Sequence, residues 1–104
     1  MKKALFSAYD KNVKVYMNPI VLQNEMEAIR VFETWINNEE NIMNKYPEQF
    51  SMCKLGYVDD ETGVLETDWK ELIQGTAVKP EQPRYTFKEI AESLAREIKG
   101  DTKQ

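Results

Sequence analysis

Four lysines and two tyrosines fall within the first sixteen residues: Lys2, Lys3, Tyr9, Lys11, Lys14 and Tyr16. Aromatic rings that stack on bases, beside ammonium groups that follow a phosphate backbone, are what a single-strand nucleic-acid binder needs. Each stacked base contributes ~1–3 kcal/mol. A plainer use exists for the same residues. Tyr9 and Tyr16 can form a cross-strand pair that stabilises a sheet, and the lysines can guard an exposed strand edge. Both readings require a hairpin that brings the tyrosines together.

Other chemistry finds less support. The chain has no histidine, so the usual general base and the triads built on it are missing. A serine–lysine or carboxylate pair would need some other signal, and no spacing points to one. Cys53 is the single cysteine; it permits no intrachain disulfide, suits a reducing compartment, and reads as a small buried thiol in mid-strand. One cysteine and no histidine exclude the common zinc sets. Asp59, Asp60 and Glu61 are consecutive, whereas a calcium loop spaces its acids over twelve positions, so they read as a solvated turn. Four glycines form no phosphate-cradling loop. No cofactor, metal or catalytic residue is expected. Glu39 and Glu40 read as a solvated face, or else as a negative surface for a basic partner or a mimic of DNA.

The composition bounds the rest. At 104 residues, with 41% hydrophobic and 11% aromatic content, the chain suits one domain with a modest core. The net charge of −4 argues against a strong nonspecific duplex binder. It is unevenly spread. Residues 1–23 carry +3 (four lysines, one aspartate), residues 24–74 carry −8 (four basic, twelve acidic), and residues 75–104 carry +1 (six basic, five acidic). No apolar run approaches the ~20 residues of a membrane span. The apolar start at Ala4-Leu5-Phe6 is broken by Ser7, Tyr9, Asp10 and Lys11 before a signal core forms. A cytoplasmic protein is expected.

Residues 3–9 alternate, as do 13–17, and Asp10-Lys11-Asn12 supplies a turn in which Asn12 can take positive φ. This predicts the hairpin. Pro19 ends its second strand, and Ile20–Gln23 leads out of the sheet. Asn24 then caps a helix, with Glu27 in the capping-box position. Ala28, Ile29, Phe32, Trp35 and Ile36 make one stripe about 100° wide, and Asn37-Asn38 closes it. Glu39–Lys45 can add a turn of helix with Ile42 and Met43 inward. Tyr46-Pro47 must be extended or turned. Ser51–Asp59 is the best strand, followed by the loop Asp59–Gly63, in which Gly63 takes positive φ. A fourth strand opens at Val64 and runs to about Trp69, with Leu72-Ile73 continuing beyond a bulge. Gly75 ends the compact part. Lys79-Pro80 and Gln82-Pro83 mark an extended linker. Thr86 and Glu89 then open an amphipathic helix, 86–99, with Phe87, Ile90, Ala91, Leu94, Ala95 and Ile98 on its apolar stripe.

The stretch YPEQFSMCKLGYVDDETG, residues 46–63, holds Tyr46-Pro47-Glu48-Gln49 and then Gly56-Tyr57-Val58-Asp59-Asp60-Glu61-Thr62-Gly63. Upstream stand Phe6-Ser7-Ala8-Tyr9-Asp10, then Tyr16 and Pro19, then Ala28-Ile29-Arg30 and Phe32. In this order and spacing the series, covering about residues 1–75, resembles the small nonstructural protein of the gokushoviruses, single-stranded-DNA phages of the Microviridae. The resemblance implies a role in phage DNA replication or genome packaging, in the host cytoplasm, and no reaction of its own.

The expected architecture is α+β: a four-stranded, mainly antiparallel sheet in ββαββ order with one helix packed on it. The expected organisation is a core at 1–76, a linker at 77–85, a C-terminal helix at 86–99 and a frayed tail at 100–104. The expected function is that of a non-enzymatic accessory protein acting on single-stranded DNA or on the phage complex that makes and packages it. The candidate nucleic-acid surface is Lys2, Lys3, Tyr9, Lys11, Lys14 and Tyr16. The alternative is a protein–protein adaptor or inhibitor that dimerises, or engages a phage or host protein, through Phe87, Ile90, Leu94 and Ile98.

Overall fold

A computed structural model describes residues 1–80 together with Ala91, Glu92, Leu94 and Ala95. Its centre is the pairing of two long strands, β1 (Lys2–Asp10) and β4 (Phe50–Asp59). Between them in the chain lie two short strands, β2 (Val15–Tyr16) and β3 (Ile20–Leu22), then helix α1 (Glu25–Asn37), a single turn α2 (Ile42–Lys45) and a 3-10 turn at Pro47–Gln49. Strand β5 (Leu65–Gln74) and a last turn, α3 (Gly75–Val78), follow β4. The sheet runs β2-β1-β4-β5, with β3 beside β2 on the same edge of β1. Every pairing is antiparallel.

The α+β class and the antiparallel sheet hold, but five strands replace four. The second hairpin strand is cut to Val15–Tyr16, because residues 11–14 are spent on the turn. Lys14, and not Asn12, takes the positive φ of 60°. Two residues cover only the end of a nine-residue β1, so its Ala4–Phe6 edge stays open. Ile20–Leu22 fills that edge instead of leaving the sheet. The order is therefore βββαββ.

Alternation along β1 turns Ala4, Phe6 and Ala8 towards α1, where they are buried with Met52 and Phe50 of β4 and with Ala28, Phe32 and Ile36 of the helix. The helix starts where its capping residues predict. Asn24 Oδ1 accepts from the Glu27 amide at 2.9 Å, and Glu27 Oε2 accepts from the Gln23 amide at 2.9 Å. One first-turn amide, that of Glu27, is thus satisfied, and the Gln23 amide just before the cap is tied back to the same turn. Met43 of α2 is buried as expected, but Ile42 points to solvent at 59% exposure. A one-turn helix has a single inward position here, and Met43 takes it.

The Asp59–Gly63 loop closes as its residues indicate. Gly63 has φ 75° and donates to the Asp59 carbonyl at 2.7 Å, while Asp59 Oδ1 accepts from the Glu61 and Thr62 amides. Beyond it the β4–β5 register slips twice, between Met52 and Cys53 and between Lys54 and Gly56. Gly56, at φ 153°, lies so close to β5 that a Cβ there would collide with the Glu66 carbonyl. Gly75 does not end the compact part. It is buried at the start of α3, against the Pro47 carbonyl and the Ile36 side chain. Val78 packs on the core, and Lys79 Nζ donates to the Asn44 carbonyl at 2.8 Å. The segment expected as a linker from residue 77 therefore opens inside the packed fold, and residues 81–85 lie outside the description. The helix expected over 86–99 also lies outside it, except that Ala91, Glu92, Leu94 and Ala95 are helical.

Candidate nucleic-acid interface

The sheet has two unlike faces. One is covered by α1; the other carries Ser7 and Tyr9 of β1 and Ser51 and Cys53 of β4, in register as Tyr9–Ser51 and Ser7–Cys53. Tyr16 of β2 pairs with Tyr9, and their rings lie 4.6 Å apart at 47°. This is the cross-strand pair that the hairpin predicts. It stabilises the sheet, as the plainer reading holds. It also leaves Tyr16 40% exposed.

A third aromatic joins them, which the sequence pattern did not single out. Trp69, on the far strand β5, donates from Nε1 to the Tyr16 hydroxyl at 3.0 Å. The bond links β5 to β2 across both central strands. Those strands offer small, buried side chains beneath it: Ser7, Ser51 and Cys53. Trp69 keeps 58% of its surface exposed. The slip between Lys54 and Gly56 re-aims side chains on β5, as bulges do, and Trp69 lies opposite that slip. A tryptophan among charged neighbours, Asp68-Trp69-Lys70, was the available signal.

The six predicted residues divide into two groups. Lys11 and Lys14 sit in the exposed β1–β2 turn beside Tyr9 and Tyr16, and no ion pair holds either among the described residues. Lys2 and Lys3 are at the other end of β1, roughly 25 Å away at ~3.3 Å per residue. They are also engaged: Lys2 Nζ is 2.9 Å from Glu66, and Lys3 Nζ is 3.6 Å from Asp60. The Glu66 hydrogen bond raises the Lys2 pKa, and the chain's amino terminus, 2.8 Å from Asp60, lowers that carboxyl's. Lys2 and Lys3 therefore do not share a surface with the tyrosines.

Charge on the open face is graded. Lys11 and Glu71 act on Cys53 with opposite sign; Glu71 lies on β5 opposite Cys53, and Lys11 sits in the β1–β2 turn. Burial is the larger influence and pushes the Cys53 thiol up, which keeps it protonated and inert. An anion is thus favoured towards the β1–β2 turn and disfavoured towards Glu71. The face can take flat, unpaired rings over Trp69 and Tyr16, with a negative chain passing Lys11 and Lys14. Of the candidate partner residues, Leu94 is 55% exposed, and Phe87, Ile90 and Ile98 lie outside the described residues. No helix among those residues is long and apolar enough to cross a membrane.

Comparison with known proteins agrees with the resemblance read from the motifs. A family model described as phage ORF5 protein matches residues 3–79. The chain is 36% identical over 62 residues to protein ORF5 of Chlamydia phage 1, an alignment covering 56% of this chain and 65% of that protein. No solved structure matches.

Proposed function

We propose, from the premise that this chain belongs to the family of phage ORF5 proteins, that it is a non-enzymatic accessory protein that binds single-stranded DNA through the open face of its sheet. It would act in the host cytoplasm, during phage DNA synthesis or packaging. The observation that carries the reading is the aromatic group of exposed Tyr16 and Trp69 with half-buried Tyr9, and Lys11 and Lys14 at its rim. Stacking on such a group is tolerant of base sequence, and lysines supply the salt-dependent part. A duplex hides its base faces, so it could use only the lysines. The overall charge of −4 then limits duplex affinity, and preference for the single strand follows.

The test is fluorescence anisotropy of a labelled strand of ~20 nucleotides, longer than the ~4–16 that a single OB-fold domain covers, at low and moderate salt. Binding that weakens steeply with salt and resists duplex competitor is expected. Failure to bind at tens of micromolar protein in low salt ends the DNA reading.

A further inference from the structure

We infer that Trp69 is the residue on which an unpaired base stacks, and that Tyr16 is a positioning residue which holds the indole through its hydroxyl. This rests on the single-strand reading above and goes beyond it by assigning the stacking surface. Tyr9 and Tyr16 are engaged with each other, with centroids 4.6 Å apart. Each tyrosine therefore has its neighbour on one side. Trp69 is more exposed than Tyr16, and its one polar atom is already bonded to the Tyr16 hydroxyl at 3.0 Å. That bond fixes the side-chain torsions before any ligand arrives, so little rotamer freedom remains to be lost on stacking. Indole also offers the largest stacking area of any side chain.

Charge placement sets the orientation. The phosphate chain passes the β1–β2 turn, where Lys11 and Lys14 stand, and the base points across the sheet towards β5. The reverse arrangement would bring phosphate against Glu71, which stands on β5 opposite Cys53 and two residues from Trp69. The ligand class is therefore a flexible single strand, read by its base faces and not by its edges.

The experiment uses the full-length chain with Trp35→Phe, which leaves Trp69 as the only tryptophan. Oligothymidylate should quench Trp69 emission in step with its anisotropy signal. Trp69→Ala should weaken binding roughly 5- to 150-fold, the loss of one stacked base, and Trp69→Phe should weaken it less. Tyr16→Phe should cost roughly two- to tenfold, the range of one hydrogen bond, and nothing further once Trp69 is alanine. Melting temperatures identify any variant that fails to fold. If the wild-type protein binds and Trp69→Ala binds equally well, the assignment falls while the single-strand reading stands. If Tyr16→Phe still weakens binding in the Trp69→Ala background, Tyr16 does not act through Trp69. If the wild-type protein does not bind, both fall.

Discussion

Two charges and two glycines carry the sharpest consequences at the level of single residues. Lys54 is buried on β4, with its ammonium 2.9 Å from Asp68 and 3.4 Å from the Tyr57 hydroxyl. The Asp68 hydrogen bond chiefly raises its pKa above 10.5, against the opposing effect of burial. A cation with a raised folded pKa stabilises fully below its unfolded value, and the gain is lost as pH rises through the higher folded value. Stability should therefore fall above about pH 10.5. Lys54→Met should flatten that part of a denaturation-against-pH curve. The glycines separate conformation from space. Both have positive φ, but a Cβ at Gly63 meets nothing, whereas one at Gly56 strikes the Glu66 carbonyl. Gly63→Ala should cost about 1 kcal/mol and Gly56→Ala clearly more, by chemical denaturation.

At the level of elements, the hairpin and the helix can be tested independently. The β1–β2 turn holds Lys11 and Lys14, while Lys2 and Lys3 sit at the far end of β1 in ion pairs. Lys11→Glu with Lys14→Glu should weaken single-strand binding and lower its salt dependence; Lys2→Glu with Lys3→Glu should change either far less. Equal effects from the two pairs would mean that charge acts at long range and not through a surface at the turn. On α1, Asn24→Ala should cost about 1 kcal/mol through loss of its cap. Phe32→Ala, at a fully buried position, should cost about 3–5 kcal/mol. Since the open face lies opposite the helix, neither change should alter affinity in protein that remains folded.

For the whole molecule, the packed core among the described residues closes with Val78, and Lys79 fastens it to Asn44. The family match stops at the same place, residue 79. A chain ending after Pro80 should fold cooperatively and keep the near-ultraviolet dichroism of its tryptophans. Loss of that signal would show that residues 81–104 complete the core. Sedimentation of the same protein tests the adaptor alternative: an oligomer that disappears on truncation would place self-association in the C-terminal segment.

Much of this was legible in the residues because the causes are local. The Asn24 cap, the stripe from Ala28 to Ile36, the turn at Gly63 and the register of Tyr9 with Tyr16 each follow from contacts a few residues apart, where spacing alone fixes geometry. The family, too, was legible, from motifs in order. What the tertiary structure decided involves distant residues. Ile20–Leu22 became a strand because β1 had an open edge to fill. Gly75 and Val78 entered the core because Pro47 and Ile36 arrive beside them. Lys2 and Lys3 left the candidate surface because acids from β5 and its loop reached them first. Trp69 joined Tyr16, 53 positions away, because two register slips and the order of the strands placed both on one open face.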